Sequence, residues 1–395
     1  MRTYTVLRDL TAASTGEPYG GGESRDASDL GSVGLRVDVE RLDRSDVRSL
    51  GRDPAVRAIA PVMPTMLVHP VDEPEDQTTP QATRTAWGVS AVGADRSSRT
   101  GAGVVVAVLD TGIDASHPAF TGVELTQADF SGSGNGDKKG HGTHCAGTVF
   151  GREVDGTRIG VAPGVTRALI GKVLGDDGAG DSEMIFRGLQ WALDNHAQVI
   201  SMSLGFNFPG LVRDLVGQGW PADLATSVAL EAYRANLRMF DALMALVRGR
   251  EPFGGGCVLV AAAGNESRRT VDPDYEIAVS IPAAADGVVS VGALGETSGG
   301  LQVASFSNTF PQVSGPGVKV LSARPGGDLT TLSGTSMATP HVAGVAALWW
   351  EELAESNMPL SARVTLAKLL ATATTDGLAA GVEPADRGLG LVQAP

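Results

Sequence analysis

Short runs of apolar residues recur along the larger, C-terminal part of the chain and predict buried strands. They lie at 104–109, 168–173, 199–204, 257–263 and 287–292. Continuous apolar runs of this length are typical of parallel strands that are buried on both faces. Residues 184–196 and 224–247 instead carry apolar side chains near helical spacing. Strands that alternate with helices in this way predict a doubly wound α/β sheet.

The first 70 residues show a different pattern. Leu35, Val37 and Val39 alternate with charged residues, which predicts a half-buried strand. Residues 43–50 begin with helix-capping residue types and predict a short helix, after which 56–62 returns to an extended pattern. Together these elements predict a small α+β unit. Its core is thin, so we expect it to depend on a larger partner surface.

The two patterns divide the chain into three predicted regions. Residues 1–70 form the small unit, 71–84 form an exposed linker rich in acidic residues, proline and threonine, and 85–395 form the larger domain. Within the small unit, residues 16–31 are polar and rich in glycine, serine and aspartate, which predicts a loop.

Composition narrows the classes of function. The chain has 395 residues, of which 42% are hydrophobic and 19% are charged, as in globular proteins. Its formal net charge of −14 argues against a nucleic-acid partner, because an acidic surface repels phosphate. No segment is apolar for long enough to span a membrane or to act as a secretory signal. We therefore expect no membrane partner and a cytoplasmic location, or secretion if a signal has been removed.

The two cysteines, Cys145 and Cys257, cannot build a disulfide framework. This cysteine usage suits a reducing compartment. We expect both side chains to be small, buried apolar groups.

Four short segments place a reactive polar residue among glycines and other small residues, and they are centred on Asp110, His141, Asn265 and Ser336. A serine hydroxyl is a weak nucleophile unless an adjacent base takes its proton and a third group orients that base. Asp110, His141 and Ser336 supply these three types. An apolar stretch follows Ser336 and predicts that it starts a buried helix, whose dipole favours an anion. The amide of Asn265 could donate to the same anion.

The order Asp, His, Ser and the residues around each motif resemble the subtilisin-like serine proteases, or subtilases (peptidase family S8). The resemblance implies a subtilisin-like doubly wound, mostly parallel sheet with helices on both faces. It also implies a serine endopeptidase that works through an acyl-enzyme. Ser336 would be the nucleophile, His141 the general base and then acid, and Asp110 the orienting carboxylate. Asn265 and the Ser336 backbone N–H would form the oxyanion hole.

The resemblance extends to substrate binding. Two backbone edges match those that hold an extended protein or peptide substrate between them, and they consist of Gly178, Ala179, Gly180, Ser203, Leu204 and Gly205. One wall of the pocket for the residue before the cut is matched by the stretch from Ala261 onward, with Ala262, Ala263 and Gly264.

The first 70 residues are similar, more loosely, to the family's inhibitory propeptide. They would make the chain a zymogen, with its own N-terminal region as intramolecular inhibitor and the tail near 61–69 in the cleft. The alternative is a permanent, non-inhibitory N-terminal domain.

The sequence departs from the family at two places. Many subtilases bind calcium through an aspartate after His-Pro, where this chain has Ala119. We expect that no cofactor is required and that the usual calcium site is in doubt, with calcium elsewhere left open. The stretch 206–256 is longer than in compact members. It predicts either ordinary packing against the sheet or a docking surface for a partner or a rim of the cleft.

Further histidines lie within two of the motifs. His144 and His341 are interpreted as structural, and Cys145 is expected one helical turn after His141, beneath the imidazole.

Two other functions remain at this point. One is a subtilase tuned for precursor processing or peptide ligation in a modification or regulatory pathway. The other is a non-catalytic binding protein on the same fold, against which the presence of all four motif residues argues.

Overall fold

The computed structural model describes residues 1–11, 34–71, 84–254, 256–356 and 358–395. The predicted loop at 16–31 and most of the predicted linker at 71–84 lie outside these residues. Within them the chain forms the following strands: β1 Arg2–Asp9, β2 Leu35–Leu42, β3 Val56–Pro61, β4 Pro64–Leu67, β5 Val105–Asp110, β6 Glu124–Asp129, β7 Arg167–Lys172, β8 Ala179–Asp181, β9 Val199–Met202, β10 Leu204–Phe206, β11 Val258–Ala262, β12 Val288–Thr297, β13 Gly300–Val303, β14 Val313–Pro316, β15 Val320–Ala323 and β16 Leu329–Leu332.

The α-helices of the described residues connect these strands. They are α1 Arg44–Leu50, α2 Trp87–Ala91, α3 His141–Phe150, α4 Ser182–Asp194, α5 Phe208–Gly217, α6 Ala222–Gly254, α7 Thr335–Glu355, α8 Ala362–Ala371 and α9 Pro384–Arg387. A 3₁₀ turn spans Pro118–Phe120. Of the helices described, none is both long enough and apolar enough to span a bilayer.

The predicted doubly wound sheet is confirmed. Eight strands pair in the order β13-β12-β11-β9-β5-β7-β6, with β14 also beside β12. Every pairing is parallel except that of β13 with β12. Each of the five predicted apolar runs supplies a strand of this sheet. The run 199–204 is corrected in one respect, because it contains two strands: β9 stays in the main sheet, whereas β10 leaves it.

Successive side chains of β5 show how the two layers of helices form. Val106 and Val108 point into one apolar cluster, which they share with buried residues of α3 and α7. Ala107 and Leu109 point to the opposite face and join the cluster of α4 and α6. Because neighbouring residues of a strand face opposite sides, a continuous apolar run is what a sheet covered on both faces requires.

The N-terminal unit is a separate antiparallel sheet in the order β2-β1-β3. The predicted helix is confirmed as α1, which starts at a capping box: the Asp43 side chain accepts from Asp46 N, while the Asp46 side chain accepts from Asp43 N. The central strand, β1, was missed by the sequence analysis. Val39 was expected to face inward with Leu35 and is instead 37% exposed, because β2 is buried mainly at its two ends.

Helices α4 and α6 support this small sheet on one face. Leu7 of β1 is fully buried in the same cluster as the residues of α4 and α6. Gln190 of α4 accepts a hydrogen bond from Val37 N (2.8 Å), and Asn236 of α6 donates from Nδ2 to Pro61 O (2.9 Å). The small unit therefore rests on the larger one by apolar packing and specific hydrogen bonds.

The described residues of the long stretch 206–256 form α5 and α6, and they show the ordinary packing that was one of the two expectations. Phe240 packs against Phe186 and Phe206 at ring distances of 4.6 and 6.0 Å, which is ordinary core packing. The same stretch also carries the N-terminal sheet, through Asn236 and through Trp220, whose ring lies 5.8 Å from the Arg2 guanidinium. The surface is thus occupied by the chain's own N-terminal unit.

Candidate active site

The carboxyl end of β5 and the start of α3 bring Asp110 and His141 together. Asp110 Oδ1 lies 2.8 Å from His141 Nδ1 and also accepts from the Thr111 backbone N–H at 2.7 Å. Both side chains are almost fully buried. Helix α3 can approach this closely because Gly142 has no side chain: a methyl group there would lie 2.2 Å from Gly112 O.

The charge of Asp110 sets the protonation of His141. Burial alone would lower the pKa of His141, but attraction to the Asp110 carboxylate and the hydrogen bond with it raise that pKa well above its ordinary value. The imidazole Nε2 is buried and has no hydrogen-bond partner in the described part of the chain. One ring nitrogen is therefore held by the carboxylate, and the other is available for a proton.

A second buried carboxylate, Asp137, joins the two segments and was missed by the sequence analysis. Its Oδ1 accepts from Thr111 Oγ1 (2.9 Å) and Gly140 N (2.8 Å). Its Oδ2 accepts from Thr143 N (2.8 Å) and Thr143 Oγ1 (2.7 Å). Asp137 thus ties the residue after Asp110 to the first turn of α3. An acidic residue four positions before His141 was the only signal in the sequence.

Ser336 lies in the first turn of α7, as predicted from the apolar stretch that follows it. The helix is almost entirely buried, and Ser203 Oγ donates to Ser336 O at 3.1 Å. The Ser336 hydroxyl donates to Val68 O at 2.9 Å. Its position at a helix start places it where backbone N–H groups and the dipole stabilise negative charge.

The side chain of Asn265 is oriented by the same helix start. Its Oδ1 accepts from both Thr335 N (2.9 Å) and Thr335 Oγ1 (2.8 Å). Because the oxygen is used in this way, the amide nitrogen faces the cleft and donates to His69 O at 2.9 Å. The structure thus brings Ser336 and Asn265 to one end of the cleft, each in contact with a backbone carbonyl.

The two backbone edges predicted to hold substrate flank a strand of the chain itself. Strand β4 lies between β8 and β10 and is antiparallel to both. On one edge, Gly178 O accepts from Leu67 N at 2.9 Å, and Ala179 and Gly180 pair with Met66 and Thr65. On the other edge, Leu204 and Gly205 pair with Leu67 and Met66. Ser203 contacts Ser336 instead.

The predicted pocket wall lies at the end of β11, just before Asn265. Ala262 and Ala263 are buried there, and Gly264 N donates to Thr335 Oγ1 at 3.2 Å. Val68 is buried beside the opposite edge. A methyl group at Gly205 would lie 3.6 Å from Val68 Cγ2, so this backbone passes directly along the Val68 side chain.

The remaining histidines and cysteines of the motifs are buried. His144 Nε2 bonds with Val320 O, and His341 Nδ1 with Met337 O. Burial lowers the pKa of His144 to about 3 and that of His341 to about 4, so both rings stay neutral. Both cysteines are free and buried, as expected. Cys145 Sγ lies 3.8 Å from His141 Nδ1, beneath the imidazole.

Within the described residues, Asp110, His141 and Cys145 are the one group whose ligand atoms lie close enough to hold a metal ion. The hydrogen bond between Asp110 and His141 already accounts for that proximity, so we assign no metal there. Ala119, at the position of the doubtful calcium site, is fully buried and donates its N–H to His117 Nδ1 at 3.1 Å. Its methyl side chain supplies no oxygen for calcium.

The comparisons with known proteins all point to the same family. The model of the Subtilase family matches residues 101–390, about three quarters of the chain. The chain belongs to the subtilase family. Subtilisin DY of Bacillus licheniformis is 34% identical over 296 residues, which cover 74% of this chain and 92% of that protein. A thermostable alkaline protease of Halalkalibacterium halodurans is 33% identical over 78% of this chain and 70% of its own length.

An intracellular serine protease of Paenibacillus polymyxa is 34% identical over 63% of this chain and 67% of that protein. This subtilase is therefore a subtilisin-like serine protease, a hydrolase of peptide bonds. Its protein or peptide substrates follow from that activity.

Proposed function

We propose that this subtilase is an endopeptidase whose catalytic triad is Ser336, His141 and Asp110, and that residues 1–69 hold it in a self-inhibited state. One observation carries the proposal: Ser336 and Asn265 hydrogen-bond to the carbonyls of Val68 and His69, which directly follow the strand β4 that lies between β8 and β10. A substrate peptide would add to the same two edges by main-chain hydrogen bonds.

The chemistry follows from the groups at that end of the cleft. Ser336 Oγ attacks a substrate carbonyl while His141 Nε2 takes the hydroxyl proton, and Asp110 stabilises the imidazolium that forms. Asn265 Nδ2 and the Ser336 N–H donate to the oxyanion. His141 then protonates the leaving nitrogen, and water resolves the ester by the reverse sequence of proton transfers. None of these steps needs a cofactor.

Self-inhibition follows from occupancy of the cleft. Thr65, Leu67 and Val68 are buried in it, so no second peptide can bind there while they remain. The sheet of β1, β2 and β3 keeps them in place by resting on α4 and α6. This occupancy supports the role of an inhibitory propeptide over that of a permanent domain with no effect on activity.

The proposal is tested with a variant that displaces the strand from the cleft, in which the reactivity of Ser336 is then measured. Leu67→Asp should expel a fully buried leucine from the cleft, because an unpaired carboxylate is costly to bury. We expect Leu67→Asp to react with a fluorophosphonate at Ser336 and to hydrolyse an unfolded protein faster than wild type. Leu67→Met is the matched control, since a swap of similar volume should preserve inhibition.

The double variant Leu67→Asp, Ser336→Ala should neither react nor hydrolyse. A folded Leu67→Asp protein that is inert towards both the probe and the substrate would contradict the proposed activity. Equal, high activity of wild type and Leu67→Asp would instead contradict the self-inhibition.

A further inference from the structure

The pocket for the residue before the cut has a further component that the sequence analysis missed. Val68 accepts a hydrogen bond from Ser336 Oγ on its carbonyl oxygen, so its side chain occupies the position of that substrate residue. A methyl group placed on Gly205 would lie 3.6 Å from Val68 Cγ2 and 3.8 Å from Ser280 Oγ. Val68 and Ser280 therefore lie on the same side of the β10 backbone. Ser280 and the fully buried Ile281 are called the pocket floor below.

The carbonyl groups of the pocket floor are held by the surrounding backbone. Ala284 N donates to Ser280 O at 2.9 Å. Phe206 N, which directly follows Gly205, donates to Ile281 O at 3.3 Å. The N–H of Ile281 is buried with the rest of that residue, and a buried N–H also needs an acceptor.

That acceptor is a tyrosine of α6. Tyr233 Oη accepts from Ile281 N at 3.2 Å. Burial raises the pKa of Tyr233, so its hydroxyl stays uncharged at neutral pH. The Tyr233 ring packs edge-on against Phe208 of α5, with the ring centroids 5.9 Å apart, and this contact orients the hydroxyl. The long stretch that forms α5 and α6 thus reaches the pocket floor through Tyr233.

We propose that Tyr233 is a positioning residue for the pocket floor, and that the floor it holds selects a small branched aliphatic side chain, such as valine, before the cut. This assignment rests on the proposed function, because it takes Ser336 as the nucleophile. Val68, which is 5% exposed, shows the size of side chain that the closed pocket accepts. A larger side chain would push the floor back and break the hydrogen bond between Ile281 and Tyr233.

The experiment compares two peptides that are identical except for valine or phenylalanine before the cut. In the Leu67→Asp enzyme we expect kcat/KM to be about 10-fold higher for the valine peptide, because the phenylalanine ring must displace the floor. Tyr233→Phe in the same background keeps the ring but removes the acceptor, so the valine-to-phenylalanine ratio should fall to near one. Ser280→Gly removes the side chain of the floor itself and should also lower that ratio.

Tyr275→Phe is the matched control. Tyr275 is 41% exposed and its ring faces the Arg268 guanidinium at 5.7 Å, so the same hydroxyl is removed from an exposed ring. Its valine-to-phenylalanine ratio should equal that of Leu67→Asp alone. The fluorophosphonate carries no residue in the pocket, so its rate of reaction with Ser336 should be unchanged in Tyr233→Phe.

Two results would overturn the proposal. One is a valine-to-phenylalanine ratio that Tyr233→Phe leaves unchanged: even with a lowered unfolding temperature, Tyr233 would then support the fold and not the pocket. The other is a Leu67→Asp enzyme that prefers the phenylalanine peptide, which would contradict the assigned substrate class. If a folded Leu67→Asp protein cuts neither peptide and does not react with the fluorophosphonate, it is the proposed function that fails.

Discussion

Two sheets of this chain differ in how they are covered. In the eight-stranded sheet, all five residues of β11 are buried and helices cover both faces. In the N-terminal sheet, β2 is buried only at Leu35 and Leu42, and one face rests on α4 and α6. The other side holds a polar cluster in which Arg8 pairs with Asp38, Glu40 and Asp53.

The difference shows which unit depends on the other. The large sheet carries Asp110 at a strand end and builds a core from its own helices. Leu7 of the small sheet is fully buried in the apolar cluster of α4 and α6, so the small sheet gains burial from a surface that belongs to the large unit. Its C-terminal extension runs through β4, and the carbonyls of Val68 and His69 just beyond β4 accept hydrogen bonds from Ser336 and Asn265.

If the chemistry resides wholly in the large unit, the largest effect should come from Asp110→Asn. In the Leu67→Asp background, where the cleft is open, we expect peptide hydrolysis to fall by about 10⁴-fold, because the imidazolium loses its stabilising charge. Asp110 raises the pKa of His141, so its loss lowers that pKa. The acidic limb of the rate profile should therefore move to lower pH. If the acidic limb of the pH–rate profile stayed in place, Asp110 would not be the group that raises the pKa of His141.

A smaller loss is expected from Asp137→Ala in the same background. Four donors lose their acceptor, and the start of α3 is freed from Thr111, so we expect kcat to fall by about 10²-fold with KM little changed. Asp137→Asn keeps one carbonyl oxygen and should recover part of the rate. A variant with lowered thermal stability but unchanged kcat would limit Asp137 to a role in folding.

The difference between the two sheets can be tested directly with one leucine-to-alanine substitution in each. Leu109→Ala in β5 and Leu7→Ala in β1 each remove a fully buried leucine, for which a cost of about 2–5 kcal/mol is usual. Leu109→Ala should reduce hydrogen-exchange protection throughout the large sheet. Leu7→Ala should reduce it in β1, β2 and β3 alone. If both variants expose β5 and β9 equally, the two sheets form one cooperative unit.

The smallest effect is expected at Cys145. Its sulfur lies next to His141 Nδ1, so mercuric ion bound there should displace the imidazole and inhibit the opened Leu67→Asp enzyme. Cys145→Ala should keep most of the activity and resist mercury, while Cys257→Ala should remain sensitive. Equal inhibition of the Cys145→Ala protein would show that mercury acts elsewhere.

Much of the large unit was predictable because its signals are local. Strands buried on both faces appear as unbroken apolar runs, and Asp110, His141, Asn265 and Ser336 each stand among glycines that permit close packing. β1 escaped notice because it begins with Arg2 and ends with Arg8 and Asp9, and only Val6 and Leu7 are aliphatic between these charges. Such a strand has little apolar pattern of its own.

The remaining features depend on contacts between distant residues. Asp137 gains its place from Thr111, 26 residues earlier in the chain. The tail was expected in the cleft near 61–69, but no local pattern indicates that Ser336 and Asn265 hold adjacent carbonyls. That offset arises only when residues 68 and 69 meet side chains more than 190 positions away.

The strand between β8 and β10 is part of the same molecule as the edges that bind it. A tethered strand competes at an effective concentration that is set by chain geometry, on the order of millimolar for short flexible links. Diluting the protein leaves that value unchanged. A free peptide bound to these edges would dissociate on dilution, whereas a tethered strand would not. If the strand inhibits as proposed, an outside substrate must exceed that local concentration or bind more tightly.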